Sequence, residues 1–237
     1  MKNFFKLSTM IVLLMISQLV SAQDDMIRED QKVSGFSAVR ASGIANVHLQ
    51  KGSQEKVTVE VNDKEFYSRL KVEVVDNVLV IRMEDKGKWE NRNKDIKLKV
   101  FVTYKDLNRL EGSGATNFYG EDQISAGEFD LKVSGANNSK LNINAKKLEV
   151  ETNGASNVTL SGQAEELSIR SSGASNVKAY DLKAGDVDAE SSGVSNIYVS
   201  AQGELEVKAS GLSNVNYKGN AKVVTREVSK MANVKKH

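Results

Sequence analysis

A short polar phrase recurs along the second half of this 237-residue chain. At residues 171–177 it reads SSGASNV, with a Gly that is followed three residues later by an Asn. The recurring glycines are Gly114, Gly135, Gly154, Gly173, Gly193 and Gly211, and the asparagines are Asn117, Asn138, Asn157, Asn176, Asn196 and Asn214. Successive glycines are 21, 19, 19, 20 and 18 residues apart. Such a short, nearly constant period is typical of repeat architectures in which each unit packs on its neighbours.

Apolar and polar residues alternate on both sides of each corner. Before Gly154 the apolar positions are Leu148 and Val150, and after it they are Val158 and Leu160. Alternation at period two indicates strands with one buried face. Twenty residues of strand cover about 65 Å, which suits one turn of a β-solenoid, whereas helical repeats have periods above about thirty residues. We therefore predict an all-β fold, a parallel β-solenoid with 18–21 residues per coil.

The outward position three residues before each Gly is a second indication of stacking. It reads Lys132, Glu151, Arg170, Glu190 and Lys208, so the sign of the charge alternates from repeat to repeat. In-register coils would place opposite charges side by side, each pair worth about 0.2–1 kcal/mol. The leucine-rich repeat has a similar period, but its L-x-x-L-x-L-x-x-N signature is absent, which favours the solenoid.

The corner residues have a structural and a functional interpretation. Gly is expected to adopt a positive φ at the turn, and Asn at a constant position can form a ladder of amide hydrogen bonds between coils. The functional alternative is a row of Asn side chains that faces a ligand. Solenoid corners need their buried polar groups satisfied, which favours the structural ladder.

The first half of the chain lacks the tight period but remains rich in strands. Strands are expected within residues 57–61, 70–75, 78–81 and 96–104, with a hairpin turn at Asp76-Asn77. An isolated copy of the corner, SGIANV, lies at residues 42–47. We expect one domain over residues 35–237, with irregular strands and hairpins over 35–110 and regular coils over 111–237.

The ends of the chain and one internal stretch are expected to be different. Residues 23–34 read as a flexible lead-in, and the charged segment 84–95, which holds Trp89, as an exposed loop. The last copy of the corner has Lys230 in place of Gly and reads as a capping repeat that protects the final edge.

The N-terminus has the features of a secretory signal peptide. Lys2 and Lys6 precede a short apolar run, and Ala22 ends a small-residue cleavage site, so the signal peptide is expected over residues 1–22. A membrane anchor is the alternative, but polar residues interrupt the run. We expect an exported protein that is periplasmic, at the cell surface or secreted, and that does not span the membrane after cleavage.

The order of these features resembles a known family. An exported chain with GFSAV at residues 35–39, GIANVHL at 43–49, strand pairs and a run of SGASNV-type repeats is similar to the auto-transporter adhesin head GIN domain family. The resemblance covers residues 35–234 and implies a right-handed, single-stranded β-helix in the cell envelope or outside the cell. The chain departs from the family in lacking Pro altogether.

The residue inventory excludes several kinds of chemistry. The chain has no Cys and only two His, which leaves no Cys–His pair and no ordinary zinc site. His48 is expected to be an outward strand residue rather than a catalytic base. Phosphate-binding loops and dinucleotide fingerprints are absent too. We expect no catalytic residue, no metal and no cofactor, and the net charge of +2 does not favour nucleic acid as a partner.

Two outward stripes are candidates for binding. The first is acidic, and its members are Glu128, Asp130, Glu149, Glu166, Asp186, Asp188, Glu204 and Glu206. Stacked carboxylates could bind cations, although a solvated face that deters aggregation is the simpler interpretation. The second stripe combines Tyr and Lys with amides and hydroxyls. Its members are Lys140, Asn142, Thr159, Ser161, Lys178, Tyr180, Tyr198, Ser200, Asn216 and Lys218.

The Tyr and Lys stripe is our candidate ligand face, for sugars or other extended polymers, with an ordinary polar surface as its alternative. We infer from the sequence an exported, non-enzymatic module for adhesion, binding or envelope scaffolding, whose partner is a glycan or another envelope component. The alternative is a β-helix carbohydrate-active enzyme resembling a polysaccharide lyase. Such an enzyme needs clustered carboxylates with Arg or Lys in a groove built by long loops, and repeats of nearly constant length do not supply these loops.

Overall fold

The computed structural model describes residues 26–84 and 95–237. The expected signal peptide, the first residues of the lead-in and most of the expected loop around Trp89 lie outside these ranges. The elements are β1 (Ile27–Gln31), β2 (Ala38–Gly43), β3 (Asn46–Lys51), β4 (Lys56–Val61), α1 (Lys64–Arg69), β5 (Leu70–Val75), β6 (Val78–Met83), β7 (Leu98–Tyr104), β8 (Arg109–Gly114), β9 (Asn117–Gly135), β10 (Asn138–Gly154), β11 (Asn157–Ser171), β12 (Asn176–Ser191), β13 (Asn196–Ala201), β14 (Glu204–Ala209), β15 (Asn214–Lys218), β16 (Lys222–Val228) and β17 (Asn233–Lys236).

The strands form two stacks that meet along the glycine corners. Face A holds the segments that lead into each corner, in the order β5, β6, β2, β8, β9, β10, β11, β12, β14 and β16. Face B holds the segments that leave it, in the order β1, β4, β7, β3, β9, β10, β11, β12, β13, β15 and β17. The long strands β9 to β12 bend from face B to face A. The predicted β-solenoid is confirmed, with about seven turns.

The first copy of the corner is a full member of the stack. Strand β2 pairs in parallel with β8, and Gly43 lies opposite Gly114 although 71 residues separate them. Strand β3 pairs with β9 in the same way, with Asn46 opposite Asn117. The intervening segment β4 to β7 adds strands on the other side of this coil. The copy is therefore isolated in sequence but not in space.

Antiparallel strands and one helix close the N-terminal end. Strands β5 and β6 form a hairpin at the edge of face A, and β1 pairs with β4 at the edge of face B. Asp76 and Asn77 both have positive φ, as a two-residue hairpin turn requires, so that predicted turn is confirmed. The helix α1 was not predicted. Its N-cap is Asp63, whose carboxylate accepts a hydrogen bond of 2.8 Å from the Phe66 N–H.

The glycine corners need Gly for two reasons, as Gly173 shows. Its φ is +79°, which an L side chain rarely adopts, and a Cβ at this position would lie 2.6 Å from the carbonyl oxygen of Gly154. This close approach lets the Ala174 N–H donate a 2.7 Å hydrogen bond to that same oxygen. The other glycines of the column have the same sign of φ and the same approach to the preceding coil. The corner is thus a continuous backbone ladder along the solenoid.

The asparagine column forms a side-chain ladder beside the glycines. The Asn176 amide donates to the Asn157 side-chain oxygen at 3.1 Å and accepts from Asn196 at 2.8 Å. The ladder extends to Asn214 in one direction, and in the other the Asn117 side-chain amide donates a hydrogen bond to the Asn46 side-chain oxygen. These contacts favour the structural interpretation of the asparagines.

A second polar ladder lies inside the corner and was not predicted. The residue two positions after each Gly is fully buried, and these residues are Thr116, Asn137, Ser156, Ser175, Ser195 and Ser213. Ser175, for example, donates to the carbonyl oxygen of Ser172 at 2.9 Å and lies 3.2 Å from that of Gly154. Each of these side chains therefore supplies a hydrogen bond to a buried part of the turn.

The charge alternation is also realised on face A. The register places Glu151 between Lys132 and Arg170, and Glu190 between Arg170 and Lys208. The row extends beyond the predicted residues, because Glu111 lies opposite Lys132 and Arg40 opposite Glu111, and Lys208 lies opposite Glu227 at the other end. Every neighbour in this row carries the opposite charge, as in-register stacking predicts.

We predict that Gly173→Ala lowers the free energy of unfolding by about 1–3 kcal/mol, because the residue would be strained and its Cβ would contact the preceding coil. Urea denaturation measures the change. Gly127→Ala is the matched control, since a Cβ there has nothing within 4 Å. Equal midpoints for the two variants would contradict the corner's proposed dependence on Gly.

Candidate ligand-binding face

Five of the ten candidate ligand residues lie in one row on face B. The register aligns Lys140 with Thr159, Thr159 with Lys178, and Lys178 with Tyr198. The row continues through Asn216 to Lys235 in the last coil. We call these six residues, one per coil, the Lys178 row. Sequence reasoning found five of them and missed Lys235, which stands at the equivalent position of the degraded last copy.

Tyr180 and Lys218 lie beside this row, but Ser200 does not. Ser200 was expected to face outward, yet it is 4% exposed and lies in the buried stretch at the end of β13. The strict alternation of β13 ends there, with Val199, Ser200 and Ala201 all buried. The expectation for Ser200 is therefore wrong, whereas Tyr180 and Lys218 are partly exposed.

The position of Tyr180 comes from a break in the repeat. On one side of β12, Ala179 and Tyr180 lie opposite the single residue Leu160. On the other side, residues 180–182 have no partner in β13. This bulge accounts for the 20-residue interval after Gly173, one residue longer than the interval before it. Bulges re-aim side chains and are common beside binding sites. The repeat is thus least regular at the candidate face.

The bulge brings Tyr180 into a cluster near the C-terminal end of face B. The rings of Tyr180 and Tyr198 meet edge to face, with centroids 5.4 Å apart and planes at 75°. The Lys218 ammonium lies 5.2 Å from the centroid of the Tyr180 ring, a cation–π distance, and the His237 ring is 6.2 Å away. We call these four residues the Tyr180 cluster.

The hydroxyl of Tyr180 is shielded from solvent and has no hydrogen-bond partner among the described residues. Burial, followed by the proximity of Tyr198, raises the pKa of Tyr180 above its usual value. The hydroxyl therefore stays neutral at physiological pH and retains its capacity to donate and accept a hydrogen bond.

A second aromatic group on face B was not predicted. Phe101, His48 and Tyr119 occupy the same row as Lys140, on preceding coils. The His48 ring centroid lies 5.1 Å from that of Phe101 and 5.2 Å from that of Tyr119, with interplanar angles of 21° and 30°. The guanidinium of Arg28 covers Phe101 at 5.7 Å, and Glu121 lies 3.0 Å from His48 Nδ1. These ring faces are occupied by one another, so the stack resembles scaffold more than an open site.

His48 itself is partly exposed on an outward position, as expected. The signal that could have found the stack was present in the sequence. The outward position five residues after the corner Gly is Tyr119 in the first regular repeat. The same position in the isolated first copy is His48. Phe101 could not be aligned in this way, because its strand carries no corner phrase.

The acidic stripe lies on face A, and one cation interrupts it. Lys147 stands between Glu128 and Glu166 in the register, and its ammonium is 2.6 Å from Glu149. The hydrogen bond to Lys147 lowers the pKa of Glu149, and that to Glu149 raises the pKa of Lys147. A little further along, the Asp186 carboxylate accepts a 2.7 Å hydrogen bond from the Glu204 N–H. The stripe is thus partly neutralised.

A shallow groove of about 270 Å³ follows the stripe and contains Lys147, Glu166, Asp186, Asp188, Glu204 and Glu206. Within residues 26–84 and 95–237 no group of three or more His, Cys, Asp or Glu is arranged to hold a metal ion. Across the same residues, no helix is long and apolar enough to span a bilayer.

Comparison with known proteins gives one family and several solved structures. The family described as "Putative auto-transporter adhesin, head GIN domain" matches residues 35–221. A search of curated proteins gives no significant match.

The similar solved structures support the fold. A protein of Bacteroides fragilis described as a putative adhesin is 24% identical with a TM-score of 0.81, over 90% of this chain and 97% of that one. A putative adhesin of Parabacteroides distasonis is 21% identical, with a TM-score of 0.72 over 90% and 97% of the two chains. A protein of the same organism described as a putative lipid binding protein is 18% identical, with a TM-score of 0.66 over 90% and 96%. At these identities the likeness extends to the fold alone.

We predict that Tyr180→Phe leaves the free energy of unfolding at neutral pH unchanged or slightly raises it, because the lost hydroxyl has no hydrogen bond to lose. Since the folded protein raises the pKa of Tyr180, the wild type should lose stability relative to the variant as the pH rises above about 10. Urea unfolding at pH 7 and pH 11 measures both effects. Asn176→Ala, which removes two ladder hydrogen bonds, is the contrasting control, and a comparable loss in Tyr180→Phe would contradict the prediction.

We also predict that calorimetric titration with Ca²⁺ produces no saturable heat. The stripe offers carboxylates in a row rather than the six to eight converging oxygens that Ca²⁺ requires, and Lys147 reduces its charge. Saturable heat that disappears in Asp186→Asn would instead support the cation-binding interpretation of the stripe.

Proposed function

Since the chain belongs to the putative auto-transporter adhesin, head GIN domain family, we propose that it is an exported, non-enzymatic binding module that attaches to an extended polymer along face B. A glycan or another polymeric component of the cell envelope is the ligand. The observation that carries the proposal is the bulge of β12, which breaks the repeat where Tyr180, Tyr198 and Lys218 come together.

The shape of face B suits an extended ligand. Each coil adds one outward residue to the Lys178 row, and neighbouring coils are about 4.8 Å apart. The row thus offers hydroxyl, amide, ammonium and phenol groups at regular intervals over about 24 Å, from Lys140 to Lys235. A polymer that follows the solenoid axis could contact several coils at once, and many weak contacts on a rigid scaffold add up to useful affinity.

The corner columns are assigned a different role. The Gly and Asn columns, from Gly114 and Asn117 to Gly211 and Asn214, connect one coil to the next through hydrogen bonds already used within the protein. We propose that they are scaffold and that recognition belongs to Lys140, Lys178, Tyr180, Tyr198, Asn216 and Lys218. The cluster adds His237, and the row adds Lys235.

Export rests on the leader and on the family. The lysines and apolar run of residues 1–22 are those of a signal peptide, and the family and the similar solved structures carry adhesin descriptions. A similar solved structure described as a putative lipid binding protein suggests that this scaffold serves more than one kind of ligand. We therefore expect the mature chain in the periplasm, at the cell surface or outside the cell.

The enzymatic alternative would use the groove on face A. That groove brings carboxylates and Lys147 together, as a polysaccharide lyase site would. It is a shallow depression between neighbouring strands, however, and the turns beside it in the described part of the chain are short. A substrate there would remain in contact with water. The groove therefore favours a solvated surface over a catalytic cleft.

We predict that the mature protein binds members of a glycan array and that the double variant Tyr180→Ala with Tyr198→Ala loses at least about tenfold in affinity, because both rings would leave the face. Circular dichroism melting of the variant checks that the solenoid remains folded. A matched control is Phe101→Ala, which removes a ring of face B outside the Tyr180 cluster.

Unchanged binding by the double variant would refute face B as the ligand face. Incubating a bound glycan with the protein distinguishes the enzymatic alternative from a binding module. If the chain length of the glycan falls, and Glu166→Gln with Asp188→Asn stops the fall, the protein is an enzyme that acts through the face A groove.

A further inference from the structure

We propose that the ligand of face B is an acidic polysaccharide, in which carboxylate-bearing sugars alternate with neutral ones. This inference rests on the proposed function and adds the charge and the charge spacing of the ligand. It follows from the distribution of charged side chains between the two faces and from the geometry of the Lys178 row.

Lys132 and Arg170 on face A have ion-pair partners, whereas the three lysines of the Lys178 row do not. On face A, Lys132 lies 4.0 Å from Glu151 and Arg170 lies 3.8 Å from Glu190. In contrast, Lys140, Lys178 and Lys235 make no ion pair with any residue of the described ranges and are exposed. The opposite charges that lie beside Lys132 and Arg170 on face A are therefore missing beside the lysines of the Lys178 row. Unpaired cations in a row are complementary to an anion that comes from outside.

The row contains no carboxylate. Apart from its three lysines, the members of the row are Thr159, Tyr198 and Asn216, which are all neutral. Exposed acidic side chains beside the row are Asp181, in the bulge next to Tyr180, and Glu121 and Asp122, opposite Leu141 at the Lys140 end. Lys218 and Lys183 lie on the strand segments around this bulge, so Asp181 does not reverse the positive charge of the face.

The last coil strengthens this charge. It carries Lys222, Arg226, Lys230, Lys235 and Lys236 against the single carboxylate side chain of Glu227. All these residues are exposed. Of these cations, Lys235 and Lys236 lie on β17 of face B, so a negatively charged polymer along face B would meet added positive charge at its C-terminal end, while Lys222 and Arg226 lie on β16 of face A.

The spacing of the cations distinguishes among anionic polymers. Lys140 and Lys178 are two coils apart, or about 9.6 Å, and Lys178 and Lys235 are three coils apart, or about 14 Å. Nucleic acids carry a phosphate about every 3.4 Å along a strand, so this row would neutralise only a minority of them. A polymer with neutral units between its charges matches the row better.

The neutral positions fit the neutral sugars. Thr159, Tyr198 and Asn216 present hydroxyl, phenol and amide groups between the lysines, which can donate and accept hydrogen bonds with sugar hydroxyls. Single-stranded nucleic acid would instead need a series of open aromatic faces for its bases. Here Lys218 covers the Tyr180 ring, and the upstream rings stack on each other. The face therefore favours a polysaccharide.

The test measures binding of the full mature chain to immobilised hyaluronan, in which a uronate alternates with a neutral sugar. Neutral dextran and oligothymidylate are the comparison probes. We expect binding to hyaluronan that weakens as NaCl rises from 50 to 500 mM, because exposed charges are screened. Lys178→Gln with Lys235→Gln should weaken it about threefold to fivefold for each lysine removed.

The matched control is Lys105→Gln with Lys146→Gln, which removes the same charge from exposed positions outside the row. It should bind hyaluronan as the wild type does at equal salt. An equal loss in both double variants, or stronger binding of oligothymidylate than of hyaluronan, would overturn the inference.

The outcomes also separate this inference from the proposed function. Suppose that dextran binds, that the Tyr180→Ala with Tyr198→Ala variant loses this binding and that the lysine variant keeps it. Face B then remains the ligand face, but its ligand is neutral. If hyaluronan binds and neither the tyrosine nor the lysine variant weakens it, both the proposed function and the acidic-ligand inference fail.

Discussion

The close approach of successive glycine corners is the contact on which the rest of the solenoid depends. At Gly173 the backbone passes so near to Gly154 that no side chain fits between them, and the adjoining N–H bonds directly to the carbonyl below. This backbone contact fixes the register of each coil on the next. Once the register is fixed, the asparagine ladder, the buried serines and the alternating charges of face A all come into line, because each is a column with one member per coil.

A scaffold of this kind separates stability from recognition. The hydrogen-bonding groups of the corner are used within the protein, so the most conspicuous phrase of the chain is the part least free to bind a ligand. Differences in repeat length are accommodated outside the corners, by bulges in the strand segments that follow each corner on face B. Residues 120–122 lie opposite the single Leu141, and residues 180–182 lie opposite no residue of β13. New side-chain positions can arise in such bulges without disturbing the corners.

Much of the fold followed from the sequence because its signals are local and repeated. A period near twenty, alternation at period two and alternating charges each indicate stacked strands, and Asp76-Asn77 indicates its hairpin without reference to the rest of the chain. The helix α1 was missed because six residues are too few to show a helical period, although Asp63 is a typical N-cap. Ser200 was placed outward because alternation was assumed to continue to the end of β13, where three successive residues are buried.

The sequence by itself determined the type of fold, the corners, their register and the residues that face outward along the regular strands, since each depends on spacing within one repeat. Only the tertiary structure showed that the first corner stacks on one 71 residues later, because strands β4 to β7 intervene in the chain but not in that contact. The tertiary structure alone also brought Tyr180, Tyr198, Lys218 and His237 together. The period had placed Tyr180, Tyr198 and Lys218 on one face, but their direct contacts and the addition of His237 depend on a bulge that breaks the period, so a periodic pattern could not reveal them.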